Sequence, residues 1–191
     1  MHHMSYEHEL MRRAFYYSMS LRDALTQGNV SAMRFVGNKI DPTGALDIVV
    51  QHGHLPLVRY LVSRGATLSA GQAIIAAQYG HEHIMQYLID QNVNVHTDNC
   101  RALRRAARFG HKNIVRLLHL HGSNISSSDN DALRVAAMCG HLSTVQYLCN
   151  EGADITARNY FALREAKLNG HLEVVHFLLA LRADATSPVL E

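Results

Sequence analysis

The chain has 191 residues, 48% hydrophobic and 18% charged, which is enough apolar material for a sizeable core and too little charge for a disordered chain. With 18 Lys and Arg against 16 Asp and Glu, the formal charge of +2 does not mark a nucleic-acid-binding or membrane-surface protein. No apolar run approaches the roughly 18 residues of a membrane span, "MHHMSYEHEL" lacks the apolar segment of a secretory signal, and Cys100, Cys139 and Cys149 make no disulfide framework, so an intracellular, cytoplasmic protein is expected.

Residues 5–20, "SYEHELMRRAFYYSMS", read as a helix with Leu10, Met11, Ala14 and Phe15 turned inward. Residues 21–40 contain "LRDALTQGNVSAMRFV", a degenerate copy of a pattern that then recurs over 41–68, 69–95, 96–125, 126–155 and 156–185. A short tail, 186–191, follows. Each full copy carries Gly-His, at 53, 80, 110, 140 and 170, with spacings of 27, 30, 30 and 30 residues. Seven and four residues before the glycine stand small or aliphatic residues, such as Leu103 and Ala106 or Leu133 and Ala136. Four and five residues after it come Leu57-Val58, Ile84-Met85, Ile114-Val115, Thr144-Val145 and Val174-Val175. These offsets predict two short helices per copy, each apolar on one side.

The glycines fall where such helices would stop. Gly53, Gly80, Gly110, Gly140 and Gly170 would end the first helix of each pair in the left-handed conformation. Gly65, Asn92, Gly122 and Gly152 would end the second, and Arg182, in that place in the last copy, predicts an altered final turn. Pro56 falls in a first helical turn, where its missing N–H costs nothing.

"ALRVAAMCGHLSTVQYLCNEGADI", residues 132–155, resembles an ankyrin repeat, and the copies together cover nearly all the chain. The resemblance implies an all-α fold, one ankyrin-repeat solenoid of stacked antiparallel helix pairs over 1–191, with residues 5–20 as its N-terminal capping helix. Two departures stand out: "RALR", "DALR" and "FALR" replace the usual Thr-Pro-Leu-His opening, and the stretch between copies is shortened, predicting truncated hairpin fingers. This 30-residue form is similar to repeats of giant DNA virus ankyrin proteins, which would make the chain a viral or symbiont factor acting on host proteins in the host cytoplasm.

Fourteen histidines raise the question of metal or acid–base chemistry. His54, His81, His111, His141 and His171 recur at one repeat position, where the resemblance implies a hydrogen-bonded structural role. His81 and His83, like His119 and His121, are two apart and point to different sides of a helix, so no metal site is expected. Cys139 lies near His141 without an oriented third group, and every glycine is explained by a helix end or turn. No enzyme activity, metal or cofactor is expected.

A protein partner is the principal expectation, with the chain itself a monomer. In ankyrin proteins the two residues before Gly-His commonly point into the concave groove; here these include His52, Gln78, Tyr79, Arg108, Phe109 and Met138. Aromatic and arginine residues are the usual anchors of interfaces, though packing between neighbouring copies would also account for them. "RALRRAARFGH" (101–111) adds Arg101, Arg104, Arg105 and Arg108 on one helical face. Arg104, Arg134 and Arg164 form a column at the repeat spacing and read as structural, bonding loop carbonyls or acids such as Asp131 and Glu165. Arg101, Arg105 and Arg108 are not shared with other copies, and for Arg105 and Arg108 an acidic protein segment is as natural a ligand as a polyanion. The alternative is a polyanion- or nucleic-acid-binding module using the basic stretch 101–116, which Lys112 and Arg116, on the second helix, would split between two faces.

Overall fold

The computed structural model describes residues 21–31 and 42–186. The predicted capping helix and the end of the tail lie outside the described residues. Within them the chain forms eleven helices and no strand: α1 (Leu21–Thr26), α2 (Pro42–Gln51), α3 (Leu55–Ser63), α4 (Ala70–Tyr79), α5 (Glu82–Asp90), α6 (Thr97–Arg108), α7 (Lys112–Leu120), α8 (Ser127–Met138), α9 (Leu142–Asn150), α10 (Ala157–Leu168) and α11 (Leu172–Thr186). They fall into two compact units, one ending at Gln72 and the other beginning at Ala73.

In the first unit α2 packs on both α1 and α3 around Leu25, Leu46, Val50, Leu57 and Leu61. Gln72 closes the unit: its Oε1 accepts from the Ser69 N–H and hydroxyl, both at 2.8 Å, and its Nε2 donates to Asp47 Oδ1 at 2.7 Å. Gln72 thereby supplies the acceptor that the free N–H groups at the start of a helix require.

The second unit is the helix-pair stack that the repeat predicts. α8 lies between α6 and α10, α7 and α9 between their neighbours α5, α9 and α7, α11, and each first helix packs on its own second helix in α6/α7, α8/α9 and α10/α11. Alanines at 106, 107, 136 and 137, all fully buried, let α6, α8 and α10 approach closely, while Leu103, Ile114, Leu118, Leu133, Leu148 and Leu178 fill the space between helices. Full burial of such a side chain contributes about 1.5–3 kcal/mol.

Thr144 interrupts this set. It occupies the place of Ile84, Ile114 and Val174, it is fully buried, and its hydroxyl has no hydrogen-bond partner. An unpartnered buried hydroxyl is costly, so Thr144→Val is expected to raise the unfolding free energy by about 1 kcal/mol in urea denaturation. An unchanged or lowered midpoint would mean that the hydroxyl is satisfied in solution.

Helix ends follow the glycines. The His111 N–H donates to Ala106 O at 2.9 Å and the Gly110 N–H to Ala107 O at 3.3 Å, the pair of bonds that terminates a helix through a left-handed residue. Gly110 has φ +74° for that purpose, and Asn92, at φ 56°, serves in place of glycine where predicted. With arginine at 182 the last second helix does not stop there; α11 runs on to Thr186, and the Arg182 guanidinium lies 4.7 Å from the centre of the Tyr160 ring.

The repeat histidines carry the structural role expected of them. The Nε2–H groups of His111, His141 and His171 donate to the carbonyls of Gln78, Arg108 and Met138 at 3.1, 2.9 and 2.9 Å, and His54 donates to Thr26 O at 2.7 Å in the first unit. Because a carbonyl only accepts, each ring carries its proton on Nε2.

The shortened fingers take a form that periodicity does not reveal. Asp98-Asn99-Cys100, Ser128-Asp129-Asn130 and Arg158-Asn159-Tyr160 all have φ between 50° and 60°, so three consecutive left-handed residues open α6, α8 and α10. Each turn is closed by an i→i−4 bond, as from the Tyr160 N–H to Thr156 O at 3.0 Å, and preceded by a tight Asx turn, as where Asn124 Oδ1 accepts from the Ser126 N–H at 2.9 Å. Asp and Asn tolerate this conformation better than other residues with a Cβ. Successive turns are tied together: the Ser127 hydroxyl donates to Asn99 O at 3.2 Å, and Arg158 grips Asp129 Oδ2 through Nε and Nη2 at 3.1 and 2.8 Å. The copy with 27-residue spacing has no such turn before α4, and it is shorter by those three residues.

Candidate functional site

The solvent-facing sides of α6 and α8 enclose a depression of about 220 Å³. Its walls are Arg101, Arg104, Arg105 and Arg108 from α6 and Asp131, Arg134 and Val135 from α8. Helical spacing puts the four α6 arginines on one side, and the 30-residue register sets Arg134 beside Arg104. The result is five guanidiniums around one carboxylate.

That carboxylate is committed. Asp131 is 7% exposed; its Oδ2 accepts from Arg104 Nη1 at 2.9 Å, and its Oδ1 accepts from Arg134 Nη2. Arg104 also donates from Nη2 to Asp98 O at 3.4 Å, while its Nε is buried without a partner. Burial first, and then the charge of Arg158, hold the Arg134 guanidinium below its usual value, against an upward pull from Glu165 and with a further downward one from Arg104. Arg134 also lies 5.4 Å from the centre of the Phe161 ring, and Arg164 lies 5.2 Å from it on α10. The arginine column is therefore structural at 104 and 134 through Asp131, and at 164 through an aromatic face rather than Glu165.

The remaining arginines are held less firmly. Arg101 stands 3.9 Å from Asp98, both well exposed, a separation at which such a pair contributes little. The side chains of Arg105, half-buried, and Arg108, exposed, have no hydrogen bond or ion pair to another described residue. The Arg108 backbone is fixed by His141, so the side chain projects from an anchored point.

Of the residues expected from the sequence to meet a partner, Arg101, Arg105 and Arg108 meet in this depression and the others do not line it. His52 is in the first unit, exposed, with Nδ1–H donating to Ile48 O at 2.8 Å and its ring stacked 6.3 Å from His54. Gln78 and Met138 are half-buried, and their carbonyls receive the repeat histidines. Tyr79 and Phe109, 44% and 42% exposed, stack against His81 and His111 at 6.4 and 6.5 Å, each with much of its surface open to solvent. Arg134 and Asp131 were expected only in a structural role, and Val135 was not singled out. The available signal was the register itself, which makes 131 the counterpart of 101, and 134 and 135 the counterparts of 104 and 105.

The other candidate chemistry is differently engaged. The His141 Nε2–H is used by Arg108 O, so that proton is not poised toward Cys139. Burial pushes the Cys149 thiol up to about 11, away from the thiolate needed of a nucleophile. His119 shares a 3.0 Å hydrogen bond with the Tyr147 hydroxyl. Among the described residues no group of three or more His, Cys, Asp or Glu could hold a metal ion, and no helix is long and apolar enough to cross a membrane. Lys112 and Arg116 lie on α7, outside the residues that line the depression.

The family model described as ankyrin repeats (3 copies) matches residues 46–129 and 119–188, which together span most of the chain. No curated protein matches it.

Proposed function

The chain belongs to the ankyrin-repeat family, whose repeats generally mediate protein–protein interaction, and from that premise we propose that it is a non-enzymatic interaction module that takes an acidic segment of a protein partner at the first helices of its second unit. The observation that carries the reading is the convergence on one depression of Arg101, Arg105 and Arg108, which neither the repeat pattern nor Asp131 requires. Charged groups with little internal employment cost repulsion in the free protein, and a bound carboxylate-rich segment relieves it. Tyr79 and Phe109 supply exposed, rigid apolar surface of the kind that anchors interfaces, each braced against a histidine. Similarity of the 30-residue spacing to giant-virus repeats supports a factor acting on host proteins in the host cytoplasm.

Nucleic acid is the weaker reading. Backbone-directed binding needs a continuous positive track, whereas this positive charge is gathered around one depression with Val135 in its wall. The test is affinity capture from cell lysate with the full chain and with a Tyr79→Ala, Arg108→Ala, Phe109→Ala triple variant, with and without nuclease. A partner retained by the parent chain and lost from the folded triple variant is expected. Unaltered capture by that variant removes this surface from the reading, and capture abolished by nuclease replaces the protein partner with nucleic acid.

A further inference from the structure

Five guanidiniums against a single carboxylate make the depression far more cationic than the chain as a whole, and the carboxylate is already shared by Arg104 and Arg134. At its margin Asp98 pairs loosely with Arg101, and Glu165 acts on Arg134, so the side chains of Arg105 and Arg108 keep open donors. The volume, about 220 Å³, falls below the roughly 300–1,000 Å³ of small-molecule pockets, so it suits one anionic group carried on a larger ligand. Val135 in the wall and exposed Phe109 next to Arg108 in sequence supply apolar contacts that a bare sugar–phosphate track would not use.

We infer that this depression recognises a phosphorylated side chain of the partner; the inference rests on the acidic-segment reading and specifies its decisive group. A carboxylate brings one negative charge and two acceptor atoms. A phosphoryl group brings between about −1.5 and −2 charge near neutral pH and three acceptor oxygens, which suits several converging forks better than a carboxylate does. Arginine, planar and always charged, meets phosphate oxygens two at a time, whereas lysine would act as a point charge.

The test uses the immobilised full chain, random single-stranded DNA and four libraries of peptides with degenerate flanks, whose fixed central residue is phosphoserine, phosphotyrosine, glutamate or serine. At least one phosphorylated library is expected to be retained about tenfold above the glutamate library, the gain of roughly one additional charge-assisted hydrogen bond. An Arg105→Ala, Arg108→Ala variant, with helicity unchanged by circular dichroism, is expected to lose both signals. Arg105→Lys with Arg108→Lys is expected to keep the glutamate signal and lose most of the phosphopeptide preference.

Equal retention of the phosphorylated and glutamate libraries overturns the phosphate assignment and leaves the acidic-segment reading standing. Retention no better than the serine library overturns both. Stronger retention of random single-stranded DNA at matched salt replaces the phosphorylated side chain with a nucleic-acid backbone.

Discussion

Gly110→Ala is expected to lower the unfolding free energy by about 3 kcal/mol, twice the loss of about 1.5 kcal/mol expected for Gly152→Ala. Both glycines terminate helices at positive φ, +74° and +90°, so both changes incur the left-handed penalty. Only Gly110 has a second reason to be glycine: a Cβ there would stand 2.6 Å from His141 Nδ1 and 2.8 Å from its Cγ. Around Gly152 a Cβ would meet nothing within 4 Å. His141 cannot withdraw cheaply, because its Nε2–H holds Arg108 O at 2.9 Å. The same change in a His141→Ala background should therefore cost about 1–2 kcal/mol less than in the parent, a coupling that a double-mutant cycle in urea reads directly. Equal losses at the two glycines would show that the ring over Gly110 imposes no constraint.

Asp131→Asn should lower stability by about 2–3 kcal/mol at low ionic strength, less than the roughly 3–5 kcal/mol of a fully buried pair because the Arg104 and Arg134 side chains keep 32% and 31% exposure. Two guanidiniums lose their anion, and five positive side chains then face one another across the depression. Added inorganic phosphate is expected to restore much of the loss by binding the folded state in the carboxylate's stead, with a chloride series at matched ionic strength separating binding from screening. Thermal melts followed by circular dichroism supply both numbers. Recovery that is identical in chloride and phosphate would reduce the effect to general screening.

The chain showed its fold in its spacing because stacked repeats write the same packing problem several times. Leu103 and Leu133 are buried at the same repeat position thirty residues apart, and the helix-ending glycines recur at the same spacing. Features that depend on how neighbouring copies differ were harder to see. Arg134 looked structural in a column, and only its placement against α6 shows that it also lines the arginine depression. The left-handed turns escaped because Asp98-Asn99, Asp129-Asn130 and Asn159 carry the preference in residue type and not in hydrophobic period. Their clearest trace is arithmetic: the 27-residue spacing differs from the others by the length of one such turn. His52 was singled out by repeat position alone, and the structure shows its ring bonded back onto its own helix.

In the second unit His111, His141 and His171 take their acceptors from the copy before, Gln78 for His111, Arg108 for His141 and Met138 for His171. Because that acceptor is a backbone carbonyl, it is indifferent to the side chain that bears it. Gene segments cut at equivalent glycines could therefore be duplicated, deleted or exchanged as interchangeable cassettes, each new seam reforming the same bond. Selection is then free to rewrite the side chains at 78, 108 and 138 without renegotiating how one cassette joins the next.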